Sequence, residues 1–412
     1  MTEFEKIIGY KAVKNELIKV CDMVHNKEVY ENLGAKLPHG VLIYGGSGFG
    51  KTFMSEGLIR ETGFESYKVK RSMGTDEITG IFSQAKENAP SVVFLDDIDK
   101  LANEIYIEGI DEIYNSDVLI IATATDSDKL PDYLNGYFDK RIEICRLTEK
   151  DAYEIIEYYL ESKKISSDVN REDVIRMISN TSCKEIETIF NEAAINAAFA
   201  RHDSISTEDL IKAVLYVQHN STESFTEMPE EELRKIALHE AGHLVVSEVL
   251  YPESIGLASL RPCNHNKLRG FTRRCKDIMD NEYYILVSLA GKAATELYYS
   301  GKCADGCRSD LNMAFREIRN MISENGASGL GMLDVATTRF PEISENLNSR
   351  NEAVVHAELE RYMFKARDIL IKNREFLEKT AELLSEKETL LYSDIKALRE
   401  RVNIVETERK SM

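Results

Sequence analysis

Three short runs of consecutive apolar residues mark the first third of the chain: Val41-Leu42-Ile43-Tyr44, Val92-Val93-Phe94-Leu95 and Val118-Leu119-Ile120-Ile121-Ala122. Such runs, too short for helices and without alternation, read as strands buried on both faces, and the segments between them predict a βα-alternating parallel sheet. From about Thr148 the strands stop, and 151–163, 171–180, 183–201 and 206–217 read as helices forming a lid. A polar, aperiodic stretch beginning Gln218-His219-Asn220-Ser221 predicts a linker. Beyond it, Leu233, Ile236, Ala237, Leu244 and Val245 recur at helical spacing behind an acidic, proline-bearing start, Met228-Pro229-Glu230-Glu231. The pattern divides the chain into an α/β domain at 1–147, a helical lid at 148–220, a linker at 221–230 and a mostly α-helical domain at 231–412.

Composition adds limits. A chain of 412 residues, 43% of them hydrophobic, has material for about two to three domains with their own cores. The formal net charge of −19 argues against nucleic-acid binding, which needs a basic surface to neutralise phosphates. Seven cysteines without a regular framework read as reduced thiols of a cytoplasmic protein. The polar opening Met1 to Lys6 is no secretory signal, and no apolar run approaches the roughly 20 residues of a membrane span. A soluble chain is expected.

Two motifs carry candidate chemistry. After the first apolar run come Gly45, Gly46, Ser47, Gly48, Phe49, Gly50, Lys51 and Thr52, the G-x-x-x-x-G-K-[ST] loop whose backbone amides cradle phosphates while Lys51 neutralises them and Thr52 holds magnesium. The second run ends in Asp96-Asp97-Ile98-Asp99, where Asp96 is the expected magnesium partner and Asp97 the candidate base. Far downstream, His239-Glu240-Ala241-Gly242-His243 is an HExxH word on a helix. Positions four apart share a helix face, so both imidazoles reach one ion, and Glu240 is placed to polarise a water. The five residues alone admit a metal site or a chance helical sequence.

Context decides between them. Tyr30-Glu31-Asn32-Leu33-Gly34-Ala35-Lys36-Leu37-Pro38, Ser83-Gln84-Ala85-Lys86, Ala89-Pro90, Asn191-Glu192-Ala193-Ala194, Ala290-Gly291-Lys292-Ala293-Ala294-Thr295-Glu296-Leu297 and Asn373-Arg374-Glu375-Phe376-Leu377 occur in the order of an FtsH-type AAA+ zinc metalloprotease, which the chain resembles over nearly its whole length. The resemblance implies an α/β AAA+ P-loop module, with parallel sheet and helical lid, followed by a mostly α-helical zinc metalloprotease domain. It implies Zn2+ and ATP with Mg2+ as cofactors. It further implies unfolded or extended protein substrates and a homo-oligomeric ring, a hexamer in the family. Arg308-Ser309-Asp310-Leu311 fits the family's third ligand word, making Asp310 a zinc ligand with His239 and His243; the other reading of Asp310 is a helix cap. Glu296 admits two readings, a carboxylate orienting a ligand imidazole or a solvated helix charge. The segments 254–261 and Arg269-Gly270-Phe271-Thr272 resemble the strands beside the cleft, where substrate adds as an extended strand. The apolar stripe Val354, Val355, Leu359, Met363, Ala366, Ile369 and Leu370 reads as core or ring interface, or as a partner-recruiting face. Cys303 and Cys307 read as reduced thiols, or as a metal or redox pair. The tail from Glu406 to Lys410 reads as solvated.

The ATPase half departs from the family pattern. Asp97 stands where a glutamate is usual, and the sensor asparagine aligns with Thr125. The two arginines that act in trans align with Tyr137 and Lys140 of Gly136-Tyr137-Phe138-Asp139-Lys140, with Arg141 one residue away. Neither tyrosine nor lysine offers the planar guanidinium fork. The aromatic pore loop is shortened, leaving Met73 as its gripping side chain, and the resemblance begins by Ile8, without the family's membrane spans. Three functions follow as expectations: an ATP-dependent zinc metalloendopeptidase; a zinc protease that uses nucleotide for assembly or gating; or a non-proteolytic scaffold with a structural zinc. Glu240 argues against the last, since a structural site has no need of a carboxylate beside an open position.

Overall fold

A computed structural model describes residues 2–70, 72–100, 104–114, 116–221, 229–263, 268–276, 278–299, 307–323 and 345–406. Cys303, nearly all of the 221–230 linker and the tail beyond Glu406 lie outside the described residues. In chain order the elements are α1 (Lys11–His25), α2 (Lys27–Asn32), β1 (Gly40–Gly45), α3 (Lys51–Thr62), β2 (Glu65–Val69), α4 (Thr75–Glu87), β3 (Ser91–Leu95), α5 (Glu104–Ile113), β4 (Val118–Ala124), α6 (Asp132–Asn135), β5 (Lys140–Ile144), α7 (Glu149–Ser162), α8 (Arg171–Ile178), α9 (Cys183–Phe199) and α10 (Thr207–His219). They continue with α11 (Glu230–Leu250), β6 (Ile255–Cys263), β7 (Leu268–Arg274), α12 (Asn281–Tyr298), α13 (Arg308–Ser323), α14 (Glu345–Lys372), α15 (Arg374–Lys387), β8 (Thr389–Leu391) and α16 (Tyr392–Arg401). Two compact units result: Met1–Lys163 with Asn180–Thr188, and Lys164–Ser179 with Ile189–Met412.

The first unit is built on a five-stranded parallel sheet in the order β2-β3-β4-β1-β5. The three apolar runs are its central strands, and their side chains alternate between two cores as the pleat requires. Leu42, Val93, Leu95, Ile120 and Ala122 face one way, onto Ile78, Phe82 and Ile110. Val41, Ile43, Val92, Phe94, Leu119 and Ile121 face the other, onto Leu17, Met54 and Leu58. The two edge strands, β2 and β5, were not among the apolar runs, because an edge strand leaves part of its surface in solvent and its sequence is mixed.

The second unit packs α11, α12, α14 and α15 around a core that includes Leu244, Val245, Leu289, Leu370 and Phe376. The stripe predicted in the C-terminal segment is core here: Val355, Ala366, Ile369 and Leu370 are buried. A three-stranded antiparallel sheet, β7-β6-β8, flanks these helices. Between the pairs Ser259 with Phe271 and Pro262 with Arg269 the register shifts, so that two β6 residues stand opposite Gly270. That is a β-bulge, which bends the strand and increases its twist.

One buried carboxylate fixes the exit of α11. Glu248, fully buried, accepts from the backbone N–H groups of Glu253 (2.8 Å), Ser254 (2.9 Å) and Ile255 (2.9 Å), and from Arg399 Nη1 at 3.0 Å. Arg399 also donates to the Glu248 carbonyl at 2.6 Å, tying α16 to the end of α11. Removing one partner of a buried pair strands the other's charge. Arg399→Met is therefore expected to cost about 3 kcal/mol, at the low edge of the range for broken buried pairs because Arg399 retains some exposure, as measured by denaturant unfolding.

Candidate active site and phosphate-binding loop

In the first unit, the loop between β1 and α3 places Gly45, Gly48 and Gly50 at φ of 145°, 80° and 92°, backbone that side chains with a Cβ avoid. A Cβ on Gly46 would also meet the Phe49 ring at 2.5 Å, so ring and glycine are complementary. Lys51 is buried, and its Nζ donates to the carbonyls of Gly45 (2.8 Å) and Gly46 (3.0 Å). Burial lowers its pKa, against the charges of Asp97 and Asp99. Thr52 Oγ1 donates to Asp96 Oδ1 at 3.1 Å, joining the two expected magnesium residues. Thr123, a residue the sequence reading passed over, donates to the same oxygen at 2.7 Å and accepts from the Asp97 N–H at 2.8 Å. Asp97 itself sits at φ 53° and pairs with Lys100 at 2.8 Å.

The residues aligned with the trans-acting arginines are engaged within this unit. Tyr137 donates to Asp111, Lys140 pairs with Glu16, and Arg141 Nη2 donates to Asn135 Oδ1 at 2.7 Å. Met73, the residue left in the shortened pore loop, packs against the sheet core, and its sulfur accepts from the Lys70 N–H at 3.3 Å.

In the second unit, α11 carries His239, Glu240 and His243, and α13 brings Asp310 to them. Asp310 lies within the first turn of α13 rather than at its cap. Its Oδ2 is 3.1 Å from His239 Nε2 and 3.4 Å from His243 Nε2, and the two imidazole nitrogens are 3.1 Å apart. A tetrahedral ion with bonds of about 2.0–2.2 Å sets its donors about 3.3–3.6 Å apart; the 3.4 Å separation falls in that range and the two of 3.1 Å lie just short of it, so a small outward shift of the donors suits zinc, as does the donor set of two imidazoles and one carboxylate. Burial opposes charge on His243, yet its bond to Asp310 and the charge there raise it to about 9. Burial would raise Asp310 too, but both imidazoles hold it well below the usual carboxylate range.

Glycine clearance shapes this pocket. A Cβ on Gly291 of α12 would lie 2.5 Å from His239 Cε1 and 2.6 Å from His243 Nε2, so the imidazoles occupy the space a side chain would take. His243 Nδ1 lies 2.7 Å from the Val287 carbonyl, which fixes its tautomer and leaves Nε2 for the ion. On the outer side of His239, buried Cys307 places its sulfur 3.9 Å from Nδ1. Glu296 takes no part: it pairs with Lys292 and Arg367, both at 2.6 Å, which removes the reading of it as an imidazole-orienting group. Glu240 is buried and its pKa raised, mainly by that burial, with His243 and His239 opposing. Thr272 of β7 donates to its Oε2 at 2.8 Å.

These are the parts of a P-loop ATPase module and of a metallopeptidase centre, carried on one chain. Residues 41–146 match the ATPase family associated with various cellular activities (AAA), and residues 226–398 match Peptidase family M41. The chain thus carries both modules, and over nearly its whole length it is similar to FtsH-type proteins. It is 28% identical to the ATP-dependent zinc metalloprotease FtsH 3 of Symbiobacterium thermophilum, over 97% of this chain and 71% of that protein. Identity is also 28% to the ATP-dependent zinc metalloprotease FtsH of Streptobacillus moniliformis, over 96% of this chain and 64% of that one. FtsH 1 of Thermomicrobium roseum gives 28% over 96% and 68%. The chain therefore spans about two thirds of the length of these relatives, and the two modules imply Zn2+ and ATP with Mg2+. Among the described residues no helix is long and apolar enough to cross a membrane.

Because Gly291 leaves the space that both imidazoles fill, Gly291→Ala is expected to displace them and weaken zinc binding by about 10-fold or more. Zinc titration with a competing chelator checks this against wild type; unchanged affinity would show that the imidazoles do not need that space.

Proposed function

We propose that the protein is an ATP-dependent zinc metalloendopeptidase that cleaves unfolded or extended protein substrates. The observation that carries this reading is the convergence of His239, His243 and Asp310 from two helices at zinc-ligand spacing, with Glu240 buried one residue from the first of them. These three residues hold Zn2+, which when bound supplies Lewis-acid polarisation of the scissile carbonyl. Glu240 is the general base. It takes a proton from the attacking water as the water oxygen bonds to the carbonyl carbon, then passes that proton to the amine nitrogen as the C–N bond breaks. The Val287 carbonyl keeps His243 in the ligating tautomer. Substrate lies extended along β7, whose second edge has no strand partner among the described residues, and main-chain hydrogen bonds make its recognition tolerant of sequence.

In the ATPase module, Gly45, Gly46, Ser47, Gly48, Phe49, Gly50 and Lys51 bind the phosphates, while Thr52 and Asp96 hold Mg2+ and Asp97 orients the attacking water. Assembly is a homo-oligomeric ring, a hexamer, in the cytoplasm. A second reading has a specific observation in its favour: with Tyr137, Lys140 and Arg141 all bonded internally, nucleotide serves assembly or gating more than rapid turnover.

Casein or peptide cleavage is expected to stop in a zinc chelator and to fall about 10²- to 10⁴-fold in Glu240→Gln. Cleavage that persists in that variant would remove Glu240 as the base. For the nucleotide, slow wild-type ATP turnover is expected, lost in Lys51→Ala and raised at least tenfold in the double variant Tyr137→Arg, Lys140→Arg, since an arginine finger contributes about 10³- to 10⁵-fold. Fast wild-type turnover that the double variant leaves unchanged would sink the gating reading.

A further inference from the structure

The candidate base is held by a strand, and its own helix does not explain its pose. Glu240 is buried at the point where α11 passes β7, and two residues of that strand meet its two carboxylate oxygens differently. Thr272 Oγ1 lies 2.8 Å from Oε2 and 3.2 Å from the Glu240 carbonyl, so its one proton is shared between two acceptors of the same residue. Gly270, at φ 96°, would with a Cβ press to 3.1 Å from Oε1 and 3.0 Å from Cγ. No donor among the described residues reaches Oε1. A bulge lies opposite Gly270, and bulges recur where a strand must re-aim a side chain beside a site.

We propose that Thr272 is the positioning residue for Glu240: its hydroxyl holds Oε2, and Gly270 keeps Oε1 clear, so that Oε1 is the oxygen that receives the proton of the attacking water. This rests on the peptidase reading of the same site. The proton leaves the water as its oxygen forms the new bond to the carbonyl carbon, resides on Oε1, and departs to the amine nitrogen when the C–N bond breaks; Thr272 keeps its own proton throughout. A carboxylate without that anchor rotates about its last torsion and offers either oxygen, diluting the productive pose. Because Thr272 lies on the strand proposed to receive substrate, extended peptide binding and orientation of the base fall on one element.

The test compares Thr272→Val, which keeps shape and strand preference but loses the hydroxyl, with Thr272→Ser, which keeps the hydroxyl. With zinc content equal to wild type, Thr272→Val is expected to lose about 10- to 100-fold in kcat with KM within about twofold, and Thr272→Ser to stay within about threefold of wild type. Equal losses in both would show a packing role and overturn the proposal, as would an unchanged kcat in Thr272→Val. A second readout needs no turnover: in the cobalt(II)-substituted protein, the visible absorption bands are expected to shift in Thr272→Val in the direction seen for Glu240→Gln, and to superimpose on wild type in Thr272→Ser. Bands of Thr272→Val identical to wild type would overturn the positioning role, whereas an inactive wild type with the expected band shifts would overturn only the peptidase reading.

Discussion

The close approach of α11 and α12 is the constraint on which the candidate metal centre depends. A Cβ on Gly242 would lie 2.5 Å from the Ala290 carbonyl and 2.7 Å from the Ala294 Cβ, and one on Gly291 would overlap both imidazoles. Each helix thus contributes a glycine at the place where the other comes nearest. The result is a seam of small residues along which His239 and His243 lie against the α12 backbone, close enough for the Val287 carbonyl to accept from His243. Ligand orientation here comes from helix–helix distance, set in turn by the apolar core on either side.

That dependence explains what was legible in the sequence and what was not. His239, Glu240, His243 and Asp310 are named by their chemistry and by the family words around them, and the structure brings the three ligand candidates together. The phosphate loop was equally plain, because its glycines stand in a fixed motif and three of them, Gly45, Gly48 and Gly50, adopt the positive φ that glycine takes most easily. Thr272 stood in a word placed beside the cleft, but its contact with Glu240 was not visible, nor were those of Thr123 and the Val287 carbonyl. A threonine hydroxyl or a main-chain oxygen becomes functional only when the fold delivers it, and neither has a distinctive spacing. Glu296 shows the converse: a carboxylate near a family word invited a role at the imidazoles, but Lys292 and Arg367 claim it. The edge strands β2 and β5 escaped notice for a related reason, since half-exposed strands need no continuous apolar run.

The ATPase module combines an intact binding apparatus with residues whose charge is used internally. Thr52 in the first turn of α3, Asp96 just after β3 and Thr123 in β4 form a hydrogen-bonded row, and the Asp97 N–H completes it. This row ties the carboxylate proposed to hold Mg2+ to the sheet. By contrast, Lys140 is bound to Glu16 and Tyr137 to Asp111, so a lysine shorter on donors than arginine is also occupied. The proposed phosphate and magnesium residues keep the residue types of their motif, whereas the positions aligned with the trans-acting arginines do not.

The pose of Lys51 has a consequence for ligand choice. Its ammonium is already bonded to two carbonyls of its own loop, at 2.8 and 3.0 Å, in a buried position. An entering anion must exchange those bonds for its own, and the exchange is favourable in proportion to the negative charge it brings. A polyphosphate chain, with several charged oxygens, therefore has more to offer this lysine than a singly charged anion. Discrimination among cellular anions would then begin before any contact with base or sugar.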